Sequence, residues 1–207
     1  MHDARWVIID TETTGVFSPI FAVEIAAQRM RGWTRDGEPF RVLLNHDVAI
    51  EPQAESVHGY SREFLRQHGL PPLEAHQRFR DYVGSLPLVA HNLSYDWDRV
   101  LFPEYARLGV PVAGQRGFCA LTLARRVVHE CAGHGLAKLT AHFCPGRIVE
   151  HNALPDTLIV AELFERIYGP RLARAGVATF PDVAKFSRRS PVTECLRLVM
   201  SGDGHRR

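Results

Sequence analysis

Five residues have the types and spacing to do chemistry: Asp10, Glu12, Asp96, His151 and Asp156. Asp10 and Glu12 stand two apart at the end of the apolar run Trp6-Val7-Ile8-Ile9. In an extended chain, side chains two apart project to one face, so both acids aim at the same point. An Asp-x-Glu pair is also what a solvated strand end carries, so the pair alone does not make a site. Asp96 follows a second apolar segment, Leu88-Val89-Ala90-His91-Asn92. Ser94 is a candidate N-cap that would put Asp96 in the first turn of a helix. An acid there also complements the helix dipole, worth about 0.3–1 kcal/mol, and Asp98 could serve equally well. His151 and Asp156 are five apart, which on one continuous helix is about 140° of rotation. They converge if a helix begins between them, and Pro155 favours such a start. A surface histidine beside a helix-start aspartate is the plainer reading of that pair in isolation.

The elements that would hold these residues follow from the apolar pattern. Trp6 to Ile9 is a continuous apolar run that fits a strand buried on both faces. Ile20 to Met30 and Phe40 to Asn45 are the next strands, with the turn-forming Arg35-Asp36-Gly37 between them. Three strands so early predict an antiparallel start to the sheet. Leu73, Phe79, Tyr82, Val83 and Leu86 carry helical spacing from Pro71 onward, and Leu88-Val89-Ala90 is a short buried strand. Helices are expected at 95–108, 121–128, 136–143 and 155–168. The fold class is therefore α/β with a mixed sheet flanked by helices. Gly169-Pro170 should end the last core helix, leaving a basic C-terminal appendage over 169–207.

The chain has 207 residues, enough for one main domain. No run of about 18 apolar residues could span a bilayer, and Met1 to Arg5 leads into a strand and not a signal peptide. A cytoplasmic protein with no membrane partner is the expectation. Cys119, Cys131, Cys144 and Cys195 form no CxxC pair, so reduced thiols are the default. His129, Cys131, His134, His142 and Cys144 include enough ligand types for a structural zinc. Their spacing matches no finger, however, and 134–143 also reads as a helix with Leu136, Leu139 and Phe143 inward. The net charge of +2 conceals a division. Residues 1–165 carry 16 basic against 20 acidic side chains, whereas residues 166–207 carry 9 against 3. A basic tail on an acidic body is a candidate phosphate-binding surface or simply a solvated one, unless it packs on the core through Phe180, Val183, Phe186 and Leu198. Only Lys138 and Lys185 among the basic residues are lysine.

Three segments resemble, in order and spacing, the motifs of the DEDDh family of 3′→5′ exonucleases. They are Asp10-Thr11-Glu12-Thr13-Thr14-Gly15, Ala90-His91-Asn92-Leu93-Ser94-Tyr95-Asp96 and His151-Asn152-Ala153-Leu154-Pro155-Asp156. The segments Cys119 to Arg125 and His134 to Leu139 are most similar to the exonuclease X branch, as is Ser187 to Val192 at the start of that branch's C-terminal extension. The resemblance implies a ribonuclease H-like exonuclease domain over residues 5–168. Asn152 stands where arginine is frequent in the family.

The resemblance further implies that Asp10, Glu12, Asp96 and Asp156 are metal ligands, with Asp10 the best candidate to bridge two ions. Carboxylates brought to ~4 Å repel by roughly 4 kcal/mol per pair at an effective dielectric of 20. Divalent cations relieve that repulsion, and oxygen-only ligation suits Mg²⁺ or Mn²⁺ better than zinc. Two such ions can stabilise the attacking and leaving oxygens of an in-line displacement at phosphorus. Histidine as a type, with an unperturbed pKa of about 6.5, suits proton transfer at neutral pH, and the resemblance makes His151 the general base. Thr13, Thr14, His58, Tyr60 and Asn92 match family positions near the terminal nucleotide, although His58-Gly59 is equally well a plain turn. The expected reaction releases nucleoside 5′-monophosphates from single-stranded 3′ ends or overhangs of DNA. An RNA-directed exonuclease with the same chemistry is the nearest alternative, and a catalytically silent nucleic-acid-binding module is a third reading.

Overall fold

A computed structural model of the chain describes residues 3–201; Met1, His2 and residues 202–207, the end of the basic tail, lie outside the described residues. The sheet is built on β1 (Arg5–Thr13), which pairs antiparallel with β2 (Ala22–Arg31) and parallel with β5 (Pro87–Ala90). Beyond β2 lie β3 (Thr34–Arg35) and β4 (Phe40–Leu43), both antiparallel to it; beyond β5 lies β6 (Gln115–Cys119), parallel. This mixed sheet flanked by helices is the α/β, ribonuclease H-like architecture expected. The antiparallel start is as read, with β3 an addition. β6 went unread because Gln115-Arg116-Gly117-Phe118-Cys119 has no apolar alternation, only Phe118 being buried.

Alternation along β1 divides the core into two layers. Trp6 and Ile8 point into one, with Phe118, Phe164 and Tyr168. Val7 and Ile9 point into the other, with Phe79, Leu101 and Tyr105. Both faces of β1 are therefore buried, and its apolar run ends where Asp10 reaches the rim of the sheet.

Between β4 and β5 the chain forms α1 (Pro52–His58), α2 (Arg62–His68) and α3 (Pro72–Val83). The first two escaped the periodicity because they are short and mostly polar; α2 is fixed by a cap, Ser61 Oγ accepting from Phe64 N at 3.1 Å. After β5 comes a π-helical segment, Ser94–Leu101, which runs into α4 (Phe102–Leu108). Ser94 does not cap it. The segment begins one residue after Leu93, already helical, and is entered by a tight turn in which the Asn92 carbonyl accepts from Tyr95 N at 2.8 Å.

The remaining helices are α5 (Ala120–Val127), α6 (Leu136–Phe143) and α7 (Ala153–Leu163), followed by a second π-helical stretch, Phe164–Tyr168. Helix α6 matches its expected bounds, with Leu139 buried. Helix α7 starts at Ala153, two residues before Pro155. Proline is tolerated there because the first amides of a helix have no intrahelical acceptor anyway.

The expected stop at Gly169-Pro170 is not made. Gly169 is helical and opens α8 (Gly169–Arg174), with Pro170 in its first turn. A Cβ on Gly169 would meet the Trp33 ring at 2.7 Å, so the glycine serves close packing and not termination. Helices α9 (Phe180–Phe186) and α10 (Val192–Ser201) follow. Leu172, Val183, Phe186, Cys195 and Val199 are buried in the same layer as Trp6 and Phe164, so the segment expected as an appendage is packed on the core. Its apolar residues are spread over three short helices, which hides their common face from any single window of sequence. No helix among the described residues is long and apolar enough to cross a membrane.

Candidate active site

The rim where β1 ends collects the acids. Asp10 and Glu12 leave β1 on one face, and Glu12 is paired across the ladder with Glu24 of β2. Helix α7 packs on β1 and β2 and delivers Asp156. Carboxylate oxygens of Asp10, Glu12 and Asp156 lie within 4.8 Å of one another, a group able to hold a metal ion. Asp96 arrives from the π-helical segment and accepts from Thr11 Oγ1 at 2.8 Å. A single cleft of about 720 Å³ is lined by Asp10, Glu12, Asp96, His151 and Asp156 together. Asp98 does not line this cleft and is held by Arg116 through two bonds of 3.0 and 2.9 Å.

His151 is exposed, with a left-handed φ of 52°, on the loop entering α7. That kink lets the chain carry His151 into the cleft and still begin a helix two residues later. The two residues converge across a helix start, as their spacing required, although Pro155 sits inside the first turn and not at its first position.

The electrostatics are those of crowded, unneutralised acids. Asp96 is 3% and Asp156 5% exposed. Burial, then the charges of Asp96, Glu12 and Asp156, hold Asp10 well above the ordinary carboxylate range. Glu12 is pushed up to about 8 by burial and then by Glu24, Asp156 and Asp96. Burial raises Asp96 to about 7 and Asp156 to about 6. Among the described residues, none of the four makes an ion pair with lysine or arginine. Such a set of oxygen donors fits a hard divalent cation.

The residues expected around a terminal nucleotide divide. Asn92 lines the main cleft. Thr13 and His58 line an adjoining cavity of about 220 Å³ that shares Thr11, Glu12 and Tyr95 with it. His58 Nδ1 accepts from Tyr60 N at 3.0 Å, which leaves Nε2 to donate to Thr13 O at 3.2 Å, and burial lowers its pKa. Thr14 is engaged with the backbone of Phe21 and Glu51 and lines neither cavity. Tyr60 is 7% exposed, and its hydroxyl lies on Glu24 Oε2 at 2.9 Å and on Asn152 Oδ1. That placement supports the site from beneath and offers no ring face to a base.

Sequence reasoning passed over Glu24, Tyr95 and Lys138. Glu24 is fully buried and accepts from Arg41 Nε at 2.6 Å and Ala153 N at 2.9 Å. An acid within the apolar run Ala22-Val23-Glu24-Ile25-Ala26 was the available signal. Tyr95 OH meets Thr13 Oγ1 at 2.8 Å on the wall between the cavities. Lys138, one of the two lysines in the chain, lines the main cleft.

Residues 7–164 match the model of a family described as exonuclease, of the ribonuclease T type. The DNA polymerase III subunit epsilon of Escherichia coli is 28% identical over 183 residues, covering 83% of this chain and 74% of its own. A solved structure of exonuclease X in complex with 5′ overhanging duplex DNA superposes with a TM-score of 0.63 and 26% identity, covering 88% of this chain and 99% of that one. Exonuclease I of Escherichia coli in complex with a dT13 oligonucleotide gives a TM-score of 0.71 at 17% identity, a likeness of fold. This chain covers 83% of its own length in that match but only 43% of exonuclease I.

Proposed function

Because the chain belongs to this exonuclease family, we propose that it is a 3′→5′ exonuclease acting on single-stranded ends or overhangs of DNA and releasing nucleoside 5′-monophosphates. One observation carries the reading: Asp10, Glu12 and Asp156 converge within 4.8 Å, in a cleft that also holds Asp96 and His151. Asp10, Glu12, Asp96 and Asp156 would hold two Mg²⁺ or Mn²⁺ ions, with Asp10, whose carboxyl feels the charges of Asp96, Glu12, Asp156 and Glu24, the candidate shared by both. Bound ions supply neutralisation of the acids and stabilisation of charge on the attacking and departing oxygens.

The chain's own residues do the rest. His151 takes the proton from the attacking water. A bond forms from that water oxygen to phosphorus, the bond from phosphorus to the 3′-oxygen of the preceding nucleotide breaks in line, and that oxygen leaves as a hydroxyl after taking a proton from solvent. Asn92 and Tyr95, on the cleft wall, orient the terminal nucleotide, and Thr13 and His58 shape the adjoining cavity. DNA is favoured over RNA because exonuclease X, 26% identical to this chain, binds a duplex DNA with a 5′ overhang. Four unpaired cysteines fit a reducing, cytoplasmic setting.

The test is release of mononucleotides from 3′-labelled single-stranded DNA and RNA with Mg²⁺ or Mn²⁺. Faster release from DNA is the expected result. Faster release from RNA would reassign the substrate, and no release from either would leave a silent binding module.

A further inference from the structure

A third cavity, of about 410 Å³, lies beside the catalytic cleft and shares Asn92 with it. Its wall carries three arginines from distant parts of the chain: Arg116 of β6, Arg125 of α5 and Arg188 from the segment after α9. Thr122 and Ser187 line the same space. One acid answers this charge, since Asp98 holds Arg116. Arg125 and Arg188 are exposed and make no side-chain hydrogen bond or ion pair among the described residues.

The arrangement is built into the fold. Cys119 Sγ and Leu121 N both bond the carbonyl of His91, at 3.3 and 2.9 Å, fixing the β6–α5 junction against the second motif. Arg126 Nε donates to Arg189 O at 2.7 Å, and Ser187 is 1% exposed with its hydroxyl on Ala184 O at 2.9 Å. The backbone on either side of Arg188 is therefore anchored, and its guanidinium is left free over the cavity.

We infer that this cavity is a phosphate-binding subsite for a polynucleotide backbone, with Arg125 and Arg188 as its contacts and Arg116 as a third, partly neutralised one. The inference rests on the exonuclease reading for the direction in which the strand leaves the cleft. Acids that surround a terminal phosphate repel the phosphates behind it, and a cationic wall reached past Asn92 offsets that repulsion. Guanidinium suits the role because its fork of donors matches phosphate oxygens. The backbone is either that of the strand being trimmed or the opposing strand of a duplex with an overhang.

The experiment measures dissociation constants for a labelled single strand and a 5′-overhang duplex against salt, in metal-free buffer, where nothing is cleaved. It compares the full chain with Arg125→Gln/Arg188→Gln. Losing two phosphate contacts should lower the logarithmic salt slope by about 1.4 for a single strand. Arg125→Lys/Arg188→Lys should keep most of the slope, and Arg66→Gln/Arg78→Gln, an equal charge change on exposed faces of α2 and α3, should leave it intact. A loss with both substrates assigns the cavity to the trimmed strand; a loss confined to the duplex assigns it to the opposing strand. An unchanged slope, or an equal loss in the Arg66/Arg78 variant, overturns the subsite. Binding by the unaltered chain with no mononucleotide release once Mg²⁺ or Mn²⁺ is added would overturn the exonuclease reading alone.

Discussion

The backbone N–H of Ala153 donates to the buried carboxylate of Glu24 at 2.9 Å, tying the first residue of α7 to the second strand. His151 lies two residues before that bond and Asp156 three after it. The same carboxylate receives Arg41 Nε at 2.6 Å and the Tyr60 hydroxyl at 2.9 Å, so one fully buried side chain organises the third motif from below. Glu24→Ala leaves the Ala153 amide without its acceptor, at about 1–3 kcal/mol for a buried group unpaired, and leaves the Tyr60 hydroxyl only Asn152 Oδ1. The expected outcome is a clearly lower melting temperature and a kcat that falls more than KM rises. Glu24→Gln, which keeps shape and one acceptor, should recover part of both. Normal turnover in the alanine variant would remove Glu24 from any part in positioning.

Asp10→Ala should abolish turnover, on the order of 100-fold or more, while the metal-free protein melts no lower than the parent. Removing one acid relieves repulsion in a site where burial and the charges of Asp96, Glu12, Asp156 and Glu24 disfavour the ionised Asp10 carboxyl. Activity above a few per cent with Mg²⁺ would mean that the metal site is misplaced.

Asp96→Asn should be nearly inactive and Asp98→Asn nearly normal. Asp96 lines the cleft beside Asp10, whereas Asp98 spends its carboxylate on Arg116 in an ion pair whose side chains are 45% and 47% exposed. A pair that open to solvent is worth about 0–1 kcal/mol, so Asp98→Asn should scarcely change the melting temperature. Turnover by the two variants under saturating substrate decides between them.

Stability should depend on pH in a direction set by the raised acids. Glu12 titrates near 8, Asp96 near 7 and Asp156 near 6 in the folded chain, against ordinary values of 4.5 and 3.8. Across that interval the folded state binds more protons than the unfolded state, so the metal-free protein loses stability as pH rises from about 4 to about 8. Divalent ions favour the ionised carboxylates and reverse the trend. The melting temperature gained on adding Mg²⁺ or Mn²⁺ should therefore be larger at pH 8 than at pH 5. Equal gains at both would argue against these carboxylates as the ligands.

Deleting residues 170–207 should destabilise the protein rather than merely weaken its grip on substrate. Leu172, Val183, Phe186, Cys195 and Val199 leave the layer around Trp6 and Phe164, and the apolar surface they cover becomes exposed. Thermal unfolding and binding of a hydrophobic dye check this; an unchanged melting temperature would restore the tail to the status of a detachable appendage.

The pairing of Asp10 with Glu12, the mixed sheet and the bounds of α6 were legible in the amino-acid sequence because each rests on local rules, whereas grouping those two acids with Asp96, His151 and Asp156 needed the order and spacing of three motifs. An apolar run ends in Asp-x-Glu, a period of two puts both acids on one face, and a proline marks a nearby helix start. The choice of Asp96 over Asp98 needed the resemblance to a family, and its physical reason is tertiary: Arg116, eighteen residues on, claims the other acid. Glu24 went unread because its meaning lies in partners at Arg41, Tyr60 and Ala153, which only the folded sheet brings within bonding distance. Whether the tail packs on the core was left open for the same reason. Its net charge is a property of sequence, but whether Val183 and Cys195 are buried depends on Trp6, Phe164 and α5, contacts that no window along the chain contains.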